Sequence, residues 1–187
     1  YFVMFALLGM SSYGVRLIAS CKSDRRARSK AFSCAYAAQL VSGLPVMFFY
    51  IGYMFVNPAG GTIVAAMWGM YVLSAVIDVS WLLFGCEEFR VPTIRSIVTR
   101  LASLIIIFCF VNEPSDLWIY VMAIAGAFLA NQVLIWPFVS RYIDFVAPTK
   151  GGVIDCFKGS AKLFIPVIAI SLYTYLGKII LGLMAGM

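Results

Sequence analysis

Residues 31–77 read AFSCAYAAQLVSGLPVMFFYIGYMFVNPAGGTIVAAMWGMYVLSAVI, 47 positions without a single Asp, Glu, Lys or Arg. A helix crosses the hydrocarbon of a bilayer in about 20 residues, so this stretch is too long for one crossing and right for two. The turn-forming string Asn57-Pro58-Ala59-Gly60-Gly61 divides it, which predicts helices near 33–56 and 62–84. Working outward, residues 1–19 are charged only at Arg16, and residues 91–111, 117–139 and 162 to about 186 complete six spans. The whole composition agrees. It is 63% hydrophobic and 12% charged, with a mean hydropathy of +0.98, against about 45–50% and about 25% in a soluble domain. Soluble globule, disordered chain and coiled coil are excluded. The expected fold is an all-α integral membrane protein with six transmembrane helices, and 187 residues leave no room for a folded aqueous domain.

The net charge of +6 and pI of about 9.2 do not point to nucleic acid, because the basic residues are one-sided. The connection 20–30 carries Lys22, Arg25, Arg26, Arg28 and Lys30; 85–90 carries Glu87, Glu88 and Arg90; 140–161 carries Arg141, Lys150 and Lys158. The connections 57–61 and 112–116 carry no Lys or Arg. The positive-inside rule makes the basic set cytoplasmic and puts Tyr1 and Met187 on the outer side, as an even number of spans requires. Opening on Tyr1 within an apolar run, with no basic leader, the sequence reads as a piece of a longer protein that has at least one earlier helix. Five cysteines without CxxC spacing, and no histidine, predict free thiols and no metal site. Cys21, Cys86 and Cys156 are expected on the cytoplasmic side, and Cys109 buried near the outer end of the fourth span. Pro45 and Pro166 fall inside spans and are expected to bend them.

Charges inside the membrane carry the functional signal. Residues 101–112 give only 12 uncharged positions, about 18 Å of helix against about 30 Å of hydrocarbon, so Arg100 is drawn inside. Counted from Val111, Arg100 lies roughly 16 Å deep and Arg95 roughly 24 Å. Arg16 and Asp78 fall in the inner third and Lys178, about 22 Å along the last span, in the outer third. Each such charge costs on the order of 2.5–3.5 kcal/mol at a helix centre. Four cations against one acid leave a surplus of +3, which suits an anion moving between the leaflets. Asp78 is a candidate for balancing an inner-third arginine. Gln39, Trp81, Asn131, Gln132 and Tyr173 are candidates for lining the same space. Nothing in the sequence supports catalysis: it has no histidine, no nucleophile beside a base, no paired carboxylates beyond Glu87-Glu88 and no phosphate-binding loop. No cofactor is expected.

The strings GMSSYGVRLIA (9–19), WLLFGCEEF (81–89), TIRSIVTRLASLIIIF (93–108), DLWIY (116–120) and LFIPVIAISLYTYLGKIILG (163–182) resemble the Wzx-type flippases of O-antigen and polysaccharide export. Those belong to the multidrug/oligosaccharidyl-lipid/polysaccharide exporter superfamily. The resemblance runs in order through nearly the whole chain and covers helices two to seven of a longer transporter. It implies a two-bundle, V-shaped fold that alternates between inward-open and outward-open states, in the inner or plasma membrane of a bacterium or archaeon. It also implies a cationic cavity for an undecaprenyl-pyrophosphate-linked oligosaccharide. On it, residues 1–139 are five spans of the first bundle, 140–161 the cytoplasmic linker and 162–187 the first helix of the second bundle. Arg16, Arg95, Arg100 and Lys178 stand at basic positions of the family pattern. Leu17 and Gly177 depart from it, where an acid is usual.

The function this predicts is flipping of the lipid-linked oligosaccharide, with membrane lipids and polysaccharide polymerase or export proteins as partners and no nucleic acid. A multidrug and toxin extrusion-type exporter would handle organic cations and favour intramembrane acids over a cationic surplus. A glycan polymerase or ligase needs a sizeable outer loop, whereas these outer loops are about five residues. A non-transporting partner in a polysaccharide-export complex is the remaining alternative.

Overall fold

The computed structural model describes the backbone of residues 2–21, 23–56 and 62–185, and their side chains except at 62–63, 114 and 171–185. Lys22 and the turn expected at 57–61 lie outside the described residues, as do the side chains of Tyr173 and Lys178. The helices are α1 (Phe2–Leu7), α2 (Met10–Ser20), α3 (Arg25–Val56), α4 (Thr62–Val76), α5 (Ser80–Gly85), α6 (Arg90–Phe110), α7 (Leu117–Val133), α8 (Trp136–Tyr142) and α9 (Lys150–Ala185), and no strand occurs among the described residues. Among the described residues, five helical segments are long and apolar enough to cross a membrane: Phe2–Ser20, Arg25–Val56, Val64–Gly85, Arg90–Phe110 and Leu117–Tyr142. This is a multi-pass, all-α membrane protein. Its exposed apolar side chains include Phe48, Phe49, Phe55, Ile105 and Phe108.

Three of these spans are interrupted where the sequence predicts continuous helices. The first breaks at Leu8-Gly9, both with positive φ, 42° and 73°. Gly9 is also a contact point. A Cβ there would lie 2.7 Å from the Ser160 carbonyl oxygen and 2.9 Å from the Phe164 nitrogen of α9, so the backbones of the first span and α9 touch. The third span breaks at residues 77–79 and the fifth at 134–135. In the fifth the cause is local: Pro137 sits in the first turn of α8 and has no N–H to continue the preceding helix. In the third, the Asp78 carboxylate accepts the Ser80 backbone N–H at 2.9 Å, which competes with the helical ladder. Pro45 and Pro166, by contrast, lie within continuous helices.

Two helices start earlier than predicted. α3 begins at Arg25 because Asp24 caps it, its carboxylate accepting the Arg26 N–H at 2.8 Å. α9 begins at Lys150, so residues 150–161 are helical turns before the expected span. Cys156, Ser160 and Phe164 form its buried stripe at four-residue spacing. All five cysteines are free. Cys109 is exposed on the outside of α6 rather than buried, since α6 turns only Pro92, Arg95, Thr99 and Ser103 inward.

The core of the basic end is α2 against α5. Added Cβ atoms at Gly14 and Gly85 would each come within 2.6 Å of Trp81 and Ile18 respectively, so both glycines mark seats for the opposing helix. The loop before α9 is clasped from the other side. Arg25 donates through Nε to Asp144 Oδ2 at 3.0 Å and through Nη2 to Oδ1 at 2.9 Å, Arg28 donates to the Tyr142 carbonyl, and Ser29 Oγ accepts the Asp144 N–H. The Arg25 hydrogen bonds hold the Asp144 carboxyl below its ordinary value. A lowered folded pKa stabilises the docked loop above the unfolded value of about 4, and that contribution is lost as pH falls through the folded value. Amide protection of residues 142–149 is therefore expected to stay level from neutrality down to about pH 5 and to fall below about pH 4. Hydrogen exchange measures it, and Asp144→Asn should lower protection at neutral pH and flatten the dependence.

A candidate site at the broken third span

The breaks in the third and fifth spans lie beside each other, bridged by a hydrogen bond from Trp136 to Ile77, each six or seven residues from the basic end of its span, and polar side chains from four spans meet there. Gln39, on the continuous α3, is fully buried. Its Nε2 donates to the carbonyls of Ala75 at 3.0 Å, Asp78 at 2.8 Å and, more weakly, Val76 at 3.4 Å. Trp81 Nε1 on α5 donates to Gln39 Oε1 at 3.0 Å, and Trp136 Nε1 on α8 donates to the Ile77 carbonyl at 3.2 Å. Carbonyls that the break frees are thus met by side-chain donors, as they must be where no water can reach them.

Beside this knot, Ser80 Oγ donates to Gln132 Oε1 at 3.2 Å and accepts from Arg95 Nη2 at 3.2 Å. Arg95 is 9% exposed and lies within electrostatic reach of Asp78. Its Nε and Nη1 have no hydrogen-bond partner among the described residues. The only acid within the described spans therefore neighbours Arg95 rather than Arg16, which is exposed on α2. Thr99 Oγ1 approaches Asn131 Oδ1 at 3.4 Å, and both line a cavity of about 220 Å³ between α6 and α7. Arg100 lines it too and is exposed. Leu104, Ile107 and Phe128 form its apolar part, and Phe128 stacks edge-on against Tyr71 of α4 at 4.7 Å between ring centroids. Arg100 stands ten residues from either end of α6, about 15 Å each way.

The residues singled out from sequence therefore separate into groups. Gln39, Trp81, Asp78, Arg95 and Gln132 are joined in one network through Ser80, with the polar groups of Gln39 and Trp81 spent on the backbone break rather than turned to open space. Asn131 and Arg100 face the cavity. Arg16 is exposed on α2, and the side chains of Lys178 and Tyr173 are outside the described residues. Sequence reading overlooked Ser80 and the role of Trp136. Pro137, following Trp136, was the available signal for the fifth-span break.

A profile of the family described as "Polysaccharide biosynthesis protein" matches residues 1–187. Two curated relatives carry the name "Putative O-antigen transporter". One, from Shigella dysenteriae, is 27% identical over 128 residues, covering 63% of this chain and 30% of that protein. The other, from Escherichia coli (strain K12), is 25% identical over 190 residues, covering 100% of this chain and 46% of that protein. The chain thus spans less than half the length of either relative. No solved structure matches it.

Proposed function

The chain belongs to the polysaccharide biosynthesis protein family, and from that membership we propose that the full-length protein flips an undecaprenyl-pyrophosphate-linked oligosaccharide from the inner to the outer leaflet of a bacterial or archaeal inner membrane by alternating access. The substrate is moved and not chemically altered, and no cofactor enters the reading. The names of the two relatives support an O-antigen or related surface-polysaccharide unit as cargo. Residues 1–139 serve as five spans of a first bundle, 140–161 as the cytoplasmic connection and 162–187 as the entry to a second bundle.

One observation carries the substrate's charge assignment: Arg100 is exposed at half-depth on an unbroken span, beside a cavity with a polar end and an apolar wall. A cation held there at a cost of about 2.5–3.5 kcal/mol needs an anionic partner. Within the described spans the one acid, Asp78, is engaged at the Ser80 backbone and near Arg95. The pyrophosphate supplies what Arg100 lacks, with Arg16, Arg95 and Lys178 as further points along the path. The engaged state of Asp78 also argues against a multidrug exporter, which needs an open acid for organic cations. Membrane lipids and polysaccharide polymerase or export proteins are the expected partners.

The test is a leaflet assay on the full-length protein in vesicles loaded with the lipid-linked oligosaccharide. Digestion of the glycan by an impermeant glycosidase on the receiving side should require the protein. Equal digestion with and without it refutes flipping.

A further inference from the structure

Buried polar side chains of α3, α5 and α6 (Gln39, Trp81 and Arg95) meet at the break at residues 77–79, and its hydrogen bonding has an unusual arithmetic. The Gln39 amide nitrogen has two hydrogens and faces three main-chain carbonyls, at 3.0, 3.4 and 2.8 Å. The halves on either side of the break belong to different neighbours. α4 packs against α7, α3 and α1, whereas α5 packs against α2 and, more slightly, α6. Gln39 touches both halves: its nitrogen meets the end of α4 and its oxygen holds Trp81 of α5.

We infer that residues 77–79 are a hinge between α4 and α5 and that Gln39 is its positioning residue. A hinge in a medium without water must keep freed carbonyls bonded in every position it adopts. A two-hydrogen donor among three acceptors can pass from one carbonyl to the next as the halves turn, without leaving any of them bare for the whole excursion. Trp81 keeps the amide attached to the moving half meanwhile. The Gly14–Trp81 and Gly85–Ile18 seats make α5 and α2 travel together. The inference rests on the transport reading only for its export readout.

The test compares two label pairs with equal sequence spacing in the full-length protein, after removal of the native cysteines and reconstitution in lipid without substrate. One pair spans the break, Leu73→Cys with Phe84→Cys. The other lies on unbroken α6, Ile94→Cys with Ile105→Cys. All four wild-type side chains are exposed. Pulsed electron-spin distances should give one narrow peak for the α6 pair and a distribution at least twice as wide, or two peaks, for the pair across the break. Gln39→Leu should change the second distribution and leave the first as it was. A pair across the break as narrow as the α6 pair overturns the hinge whether or not Gln39→Leu folds, and so does a distribution that Gln39→Leu leaves unchanged. Surface-glycan export by the unlabelled protein is read separately: a rigid pair with export intact refutes the hinge alone, and a mobile pair without export refutes the transport reading alone.

Discussion

Arg100→Gln in the full-length protein is expected to lower surface-glycan export at least tenfold while protein abundance in the membrane stays at the wild-type level or rises. The two readouts move apart because they draw on different energies. An exposed guanidinium ten residues from either end of α6 is costly to insert, by about 2.5–3.5 kcal/mol, and Gln relieves much of that cost. If the arginine were there for the fold, its loss would leave transport untouched. If it holds a pyrophosphate, the loss removes the charge-assisted hydrogen bonds that stabilise the anion at the deepest point of its path. Arg100→Lys keeps the charge without the forked geometry and should retain part of the activity. Membrane fractionation with export measured per inserted molecule checks the series. Normal export by Arg100→Gln at normal abundance removes Arg100 from the path.

The second large effect is structural. Gly9→Ala should destabilise the protein by about 2–5 kcal/mol, combining a left-handed backbone penalty of about 1–2 kcal/mol with an overpacking cost of about 1–3 kcal/mol. The obstacle is main chain: the Ser160 oxygen and the Phe164 nitrogen stand 2.7 and 2.9 Å from the new methyl, and neither can swing aside as a side-chain tip would. Gly126→Ala is the matched comparison, since nothing lies within 4 Å of a Cβ at that helical position. It should be neutral, or stabilising by up to about 1 kcal/mol through helix propensity. Thermal unfolding of the two variants in detergent, followed by the loss of monodisperse protein, should order them Gly9→Ala below wild type and Gly126→Ala at or above it. Equal midpoints for both variants contradict the close contact between the first span and α9.

Positions of the spans were legible because lipid imposes one rule on every residue of a crossing, and runs such as 31–77 obey it visibly. The positions of Arg95 and Arg100 along α6 followed from counting alone. Which charges meet did not. The approach of Asp78 to Arg95 rather than Arg16 depends on how α5 and α6 rotate, and rotation is set by tertiary contacts that hydropathy does not record. The breaks were half legible. Pro137 announced the one in the fifth span, whereas the one in the third, opened locally by Asp78, has its freed carbonyls met by Gln39 and Trp136, 36 or more residues away, and no local pattern around Asp78 reveals those partners. The start of α9 was obscured for a different reason: Lys150, Asp155, Lys158 and Lys162 read as a polar connection, while the helical stripe opposite them, Cys156, Ser160 and Phe164, contains one serine and one small thiol and is weakly apolar. Cys109 was misplaced because an uncharged residue deep in a span can face lipid as readily as protein.

The clasp between Arg25 and Asp144 joins residues 119 positions apart. During synthesis at about 5–20 residues per second, the arginine is made roughly 6–24 s before its carboxylate exists. On the proposed cytoplasmic placement of the basic loops, Arg25 counts throughout that interval as a full positive charge, alongside Arg26, Arg28 and Lys30, in holding the first loop back from translocation. Once the fifth span has entered, the same side chain is neutralised and becomes a fastener. On that placement one residue acts twice in the life of the molecule, first as an address read during insertion and later as a bolt, and a substitution at Asp144 is expected to spare the first role while removing the second.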